Sequence, residues 1–260
     1  MRLKGLQLTP RFFKAGFAIN DVVESFGRIS FENPSRLISN RFLDIYQFGN
    51  KEAILKERAR LKDEMSRGYF ADISEMKQHG GKIASANKII VPITAALKFP
   101  TLQVCNSDRT NLKLPITSDG RSWDVPKASL LCLSFRATSQ GMVDSWTLPF
   151  LNTFGHSKHI SLYEVSFIDS WLLCSSPIKK LLLKIMKKPK PAEASHHRHL
   201  VYSFGDHYHF RKELKILNLL TGYFFLVDDG GRIRWQGFGS ATEEEVSSLL
   251  ACTSILLQEE

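Results

Sequence analysis

From residue 128 onward the apolar and polar positions fall into alternating strand and helix periods. ASLLCLSF (128–135) is a continuous apolar run, the pattern of a strand covered on both faces. Met142–Phe154 reads as a helix, and SLYEVSFID (161–169) as a second strand with Leu162, Val165 and Phe167 apolar. Trp171–Lys188 follows as a basic helix. Residues 189–206 read as loop with a short strand at 200–204, and His207–Leu217 as a helix. GYFFLVDD, the turn Gly230-Gly231 and RIRWQGFG form two strands joined by a tight hairpin. In SATEEEV, Thr242 can cap the closing helix and Glu245 stands at the capping-box position. Val246, Leu249, Leu250 and Ile255–Leu257 mark that helix's buried side.

Upstream the periodicity is weaker. NKEAILKERARLKDEMSRGYF (50–70) is rich in helix formers and carries the i,i+4 pairs Glu52/Lys56 and Asp63/Arg67. Its apolar stripe (Ala53, Leu55, Ala59, Leu61, Met65) is thin, so this helix is solvated or lies against a partner. ADISEMKQHGG is a second short helix stopped at Gly80-Gly81. Pro92, Pro100, Pro115 and Pro126 mark 82–127 as a connector leading into a β-hairpin over about Leu102–Ser107 and Leu112–Ile116. The order β-α-β-(α)-α-β-β-α places a parallel βαβ half before an antiparallel ββα half. The expected fold is therefore α/β and thioredoxin-like: a mixed sheet flanked by helices, lacking the CxxC motif, with an N-terminal helical extension. The expected organisation is a transit peptide or flexible N-terminus over 1–45, a helical extension and linker over 46–100, and the thioredoxin-like domain over 101–260.

Composition narrows the class. With 43% hydrophobic residues the chain can build a sizeable core. Lys and Arg outnumber Asp and Glu by 35 to 26, a net charge of +9, which favours anionic partners and says nothing about fold. MRLKGLQLTPRFFKAGFAIN holds four basic residues and no acid, the composition of an organelle transit peptide. No apolar run is long enough to span a bilayer, which fits a soluble or peripheral protein. The four cysteines (Cys105, Cys132, Cys174, Cys252) form no CxxC and no zinc spacing, and read as buried free thiols.

In a thioredoxin-like domain the redox thiols sit where the first strand meets its helix. Here that turn reads Arg136-Ala137-Thr138-Ser139-Gln140-Gly141-Met142 and has no cysteine. Cys132 lies inside the preceding strand, the position of a small core residue rather than an accessible thiolate. Thr221-Gly222 precedes the hairpin strand where redox-active members carry a cis-proline. The Thr138 and Ser139 hydroxyls are read as helix caps rather than an anion site. SSPIKKLLLKIMKKPK (175–190) is the most distinctive surface candidate, with Lys179, Lys180, Lys184, Lys187 and Lys188 set among leucines and isoleucines. A basic amphipathic helix of this kind meets a membrane surface or an acidic partner. Five histidines (196, 197, 199, 207, 209) are read as an exposed polar loop rather than a metal site. Asp228–Arg232 suits a hairpin turn rather than a calcium loop. No Ser/His/Asp arrangement, HExxH motif, nucleotide loop or nucleic-acid module is evident, so no cofactor, small-molecule substrate or nucleic acid is expected.

RLKDEMSRGYFADISEMKQHGGKI (60–83), the PxL-type strands after it, ASLLCLSFRATSQGMVDSWTLPF and GYFFLVDDGGRIRWQGFGSATEEE together resemble the mitochondrial ATP synthase assembly factor family (ATPase complex subunit ten). "RGYF" before "GGKI" and the DxxGRIRWxGxGxAT end are the most specific pieces, and the similarity runs from about residue 48 to the C-terminus. The resemblance implies a thioredoxin-like fold without redox cysteines, on the matrix side of the mitochondrial inner membrane and peripherally attached. It further implies a non-enzymatic chaperone for the Fo sector, binding new subunit a (subunit 6) and promoting its association with the c-ring. The alternative is a thioredoxin- or peroxiredoxin-like oxidoreductase.

Overall fold

The computed structural model describes residues 70–78, 82–106, 108, 110–117, 125–169 and 198–259, with isolated positions 55, 58, 59, 62 and 183. These fall, apart from 55, 58 and 59, in the compact unit Lys62–Glu260. The described elements are α1 (Ala71–Gln78), β1 (Leu102–Asn106), β2 (Asn111–Leu114), β3 (Ala128–Ser134), α2 (Gln140–Phe154) and β4 (Ile160–Ile168). They continue with β5 (Arg198–Phe204), α3 (Tyr208–Glu213), β6 (Tyr223–Asp228), β7 (Ile233–Phe238) and α4 (Glu243–Gln258). The charged helix expected over 51–67 and the basic stretch Trp171–Lys188 lie outside the described residues, apart from isolated positions.

Among the described residues a seven-stranded sheet runs in the order β2-β1-β5-β4-β3-β6-β7. β3 pairs in parallel with β4, and β4 with β5; β6 lies antiparallel to β3, and β7 to β6. The run β4-β3-β6-β7, with α2 crossing between β3 and β4 and α4 following β7, is the thioredoxin-like arrangement. The continuous apolar character of β3 follows from its place. Leu130 and Cys132 face one layer with Trp146 and Phe150 of α2 and Leu249 and Leu256 of α4. Leu131 and Leu133 face the other, with Phe99, Val165, Ile216 and Phe225.

Three expected elements differ in the structure. The short strand at 200–204 extends to Arg198–Phe204, is missing from the expected element order, and sits in the sheet between β4 and β1. Through it the β1–β2 hairpin, whose second strand is Asn111–Leu114 rather than about Leu112–Ile116, joins the main sheet (Cys105 opposite Tyr202). The helix expected over His207–Leu217 stops at Glu213. There Ile216 N–H donates to Arg211 O (2.7 Å) and Lys215 N–H to Lys212 O (3.2 Å), with Lys215 at φ 55. That is a Schellman stop, made without the glycine that usually announces one. It turns Ile216 into the core.

The hairpin turn and the last helix form as expected. Gly231 N–H donates to Asp228 O at 3.0 Å, and Gly231 supplies the positive φ of 76°. Thr242 Oγ1 and the Glu245 carboxylate close the capping box.

The stretch read as a connector does more than connect. Asn87 N–H donates to Gln236 O (2.9 Å) and Val91 N–H to Arg234 O (2.7 Å), while Leu97 O accepts from Ile233 N–H (2.8 Å). Residues 82–99 thus form a strap along the β7 edge and satisfy groups that an open edge would expose. Side chains rivet it. Glu245 Oε1 accepts from Ala86 N–H at 2.9 Å, and its other oxygen binds the Lys82 ammonium. Trp235 Nε1 donates to Asn87 O at 2.7 Å. Arg234, 2% exposed, donates to Val91 O and bidentately to Glu259, each bond 2.7 Å, with Asp228 at 3.5 Å.

Two outcomes are expected. Arg234→Met takes from the buried Asp228 its nearer cation, leaving Arg232 at 3.8 Å, and should destabilise the domain by about 3–5 kcal/mol in urea titrations. Burial raises the Glu245 carboxyl's proton affinity, but the bonds from Ala86, Lys82 and Thr242 outweigh it and hold the group below its ordinary value. Its stabilisation is therefore full above the ordinary carboxylate range and lost as pH falls through the lowered folded value. The urea midpoints of wild type and Glu245→Gln should differ at neutral pH and converge on acidification.

Candidate functional site

The carboxyl ends of β3, β4 and β5 share one end of the sheet, where ligands bind in α/β folds. At β3 the chain passes through Phe135 and Arg136 into a 3-10 turn, Ala137–Ser139, and then α2. The capping role expected of the hydroxyls is corrected by the structure. Ser139 is buried and its Oγ donates back to Arg136 O at 2.7 Å, so it ties the turn together; Thr138 is exposed, and α2 begins without a side-chain cap.

The space a redox pair would occupy is filled. Thr221 Oγ1 donates to Met142 Sδ at 3.7 Å. A Cβ on Gly222 would stand 2.9 Å from the Phe224 ring and 3.6 Å from Met142 Cβ, so only glycine fits without displacing that ring. Gly222 O accepts from Gly239 N–H (3.0 Å), and Gly239 O accepts from Trp146 Nε1 (2.8 Å). Behind Thr221, Asn218 Nδ2 donates to Glu75 Oε2 at 2.8 Å and Leu219 N–H to Asp72 Oδ2 at 3.1 Å, docking α1 on the loop that leads into β6.

Cys132 is 1% exposed and lies in register with Glu164 of β4. Burial first, and then the Glu164 carboxylate, push its thiol well above the ordinary value; Arg198, bonded to Glu164 at 2.7 Å, opposes them. Burial also raises Cys252, against a hydrogen bond from Ser248. Cys105, buried as well, donates to Asn111 Oδ1 at 3.0 Å. A protonated, enclosed thiol is a poor nucleophile, so Cys132 is a core residue.

The next two strand ends carry a constellation that the sequence does not announce. His207 Nε2 lies 2.8 Å from Ser203 Oγ, and Nδ1 lies 2.8 Å from Asp169 Oδ1. The expectation of no Ser/His/Asp arrangement is thus wrong as geometry. Ser203 Oγ also lies 2.9 Å from Gln103 O, so that carbonyl and Nε2 compete for one hydroxyl proton. A nucleophile must also meet its substrate, and this one is enclosed. Ser203 is 2% and His207 6% exposed, with the Phe167 ring edge-on against the imidazole. The three side chains pin β5, the end of β4 and the start of α3 to one another. The reading of the histidines as an exposed loop fails at His207 for this reason, and His199 stacks on Tyr163. Only Ser203 and His207, four apart, were adjacent enough to suggest a pair; Asp169 is brought by the fold.

Lys179, Lys180, Lys184, Lys187 and Lys188 lie outside the described residues. Among the described residues no group of three His, Cys, Asp or Glu side chains could hold a metal ion. No helix among them is long and apolar enough to cross a membrane.

A family model described as ATP10 protein matches residues 25–256. The chain belongs to the ATP10 protein family. Among relatives of this ATP10 family member, the mitochondrial ATPase complex subunit ATP10 of Candida glabrata is 21% identical over 216 residues, covering 81% of this chain and 74% of the relative. Among solved structures, the thioredoxin domain of a thiol-disulfide oxidoreductase from Bacteroides vulgatus overlaps 60% of this chain and 95% of its own, at 14% identity and TM-score 0.39. A thiol-disulfide oxidoreductase from Bacteroides fragilis overlaps 60% of this chain and 98% of its own, at 15% identity and TM-score 0.37. The fold of this ATP10 family member rests on its strand order, not on these overlaps.

In the native protein Cys132 should resist iodoacetamide at neutral pH and react once urea unfolds the chain, as read by peptide mass mapping. A fluorophosphonate probe should leave Ser203 unlabelled. His207→Ala, by removing the bonds that tie Ser203 and Asp169 together, should lower stability by about 1–3 kcal/mol.

Proposed function

We propose that this ATP10 family member is a non-enzymatic assembly factor for the mitochondrial ATP synthase, acting on the membrane (Fo) sector. It binds newly made subunit a and promotes its association with the c-ring. The observation that carries the reading is the family match over 25–256. The name of the Candida glabrata relative, a mitochondrial ATPase complex subunit, supports the location and the complex. The filled β3–α2 junction and the inert Cys132 favour a binding role over the oxidoreductase alternative, because the turn that would carry reactive thiols holds Arg-Ala-Thr-Ser-Gln.

In this reading residues 1–45 direct import, 46–100 extend the domain and 101–260 form its thioredoxin-like body. The protein works at the matrix face of the inner membrane, attached peripherally. Lys179, Lys180, Lys184, Lys187 and Lys188 provide contacts to the membrane or the client, and the charged helix 51–67 a further contact region. The mechanism is temporary shielding: the factor covers unassembled membrane-protein surface and yields it to the permanent partner.

Organelles depleted of the chain should accumulate catalytic sector lacking a functional membrane sector, and re-imported protein should crosslink to newly synthesised subunit a. Normal ATP synthase in depleted organelles, on native gels, would end this reading.

A further inference from the structure

The strap of residues 82–99 closes the β7 edge with its backbone and leaves part of its side-chain surface uncovered. Ile89 and Leu97 are each 76% exposed and Ile93 is 49% exposed. Single exposed aliphatics are ordinary on a protein surface. Here three of them lie on one short strap whose neighbouring residue Ile90 packs on the core. They are also held on ordered backbone. Asn87 and Val91 donate to β7, Leu97 accepts from it, and Ala95 N–H donates to Pro92 O at 3.0 Å to form the turn that presents Ile93.

The strap itself carries charge of one sign. Lys88 and Lys98 flank the patch and are exposed, and the sequence holds no acid between Glu75 and Asp108. Of the carboxylates on neighbouring elements, Glu245 is bound to Lys82 and Ala86, and Glu259 and Asp228 to Arg234. Asp229 is exposed at the hairpin tip, and Glu243 and Glu244 are exposed in the first turn of α4.

We propose that the outer edge of this strap, Ile89, Ile93 and Leu97 between Lys88 and Lys98, is a contact face for an anionic lipid bilayer. Aliphatic side chains partition into the interfacial layer, while lysine stems run along them and carry the ammonium groups to headgroup phosphates. Backbone brought to that layer must already have partners, and at Asn87, Val91 and Leu97 the strap is bonded to β7. An added protein strand is disfavoured, because the strap already occupies the edge. Pro92, Ile93, Thr94 and Ala95 are all exposed on the turn, a projecting shape that suits a deformable lipid surface better than a recessed groove would. The inference rests on the membrane-side reading above and assigns it to residues that reading leaves unused.

The test uses the purified full chain and flotation with phosphatidylcholine vesicles, with or without phosphatidylglycerol. Wild type should float with the phosphatidylglycerol vesicles and much less with neutral ones. The triple variant Ile89→Asn/Ile93→Asn/Leu97→Asn should lose roughly tenfold or more in partitioning. Lys88→Glu/Lys98→Glu should bind more weakly and lose most of its salt dependence. Leu148→Asn/Leu217→Asn, which removes exposed leucines elsewhere, should float like wild type, and fluorescence of the buried Trp146 and Trp235 should be unchanged throughout. A triple variant that floats like wild type overturns the inference. So does equal binding to neutral vesicles, or a wild-type dimer that the triple variant dissociates, which would give the patch to a second copy. If the triple variant floats normally while depleted organelles fail to assemble ATP synthase, this inference alone falls. If flotation behaves as expected and depleted organelles assemble the enzyme, the functional reading alone falls.

Discussion

A strand in the interior of a mixed sheet has to satisfy its backbone through two neighbours and its side chains through two layers. β3 is that strand here, parallel to β4 on one side and antiparallel to β6 on the other. Every residue from Ala128 to Leu133 is buried. The two layers must therefore come from elsewhere in the chain: α2 and α4 on the Leu130 side, Phe99, Ile216 and their neighbours on the Leu131 side. The same constraint disposes of Cys132. Enclosed by both layers and set beside Glu164, its thiol is kept protonated, and redox chemistry has no foothold in the strand.

Closing the sheet's β7 edge is the second demand, and it is met by charge as well as by backbone. Arg234 is almost wholly buried, yet its guanidinium bonds to Glu259, to Val91 O and near Asp228, so its desolvation is offset by well-formed partners. The cluster joins the strap, the hairpin and the end of α4. A region that reads as a linker thus becomes part of the domain. Its uncovered side chains then become a property of the folded body.

The two places where chemistry could be expected show different ways in which a fold can lack it. At the β3–α2 junction the reactive residues are absent and Met142, Thr221 and Phe224 occupy the room. At the ends of β4 and β5 the residue types of a hydrolase are present and correctly spaced, but Ser203 and His207 are buried and Gln103 O competes for the hydroxyl proton. Residue identity and distance leave the role open; enclosure decides it. In both places the polar groups serve packing.

Much of the architecture was legible along the chain. The two-sided apolar run of β3, the period of α2, the Gly230-Gly231 hairpin and the Thr242/Glu245 capping box are local signals, set by covalent geometry and by neighbours within one turn or one hairpin. Their physics is complete within a few residues. Strand β5 at full length, the Schellman stop at Lys215 and the strap on β7 were not legible, because each depends on partners far along the chain: β4 and β1 for β5, the core that receives Ile216, and Trp235 with Glu245 for the strap. The Ser203–His207–Asp169 chain likewise needs β4 and β5 side by side. The sequence alone determined most of the elements, the missing thiols and the basic character. Tertiary structure decided which polar groups are enclosed, which partners they meet and which aliphatics stay outside, since burial and long-range hydrogen bonds exist only once distant segments meet.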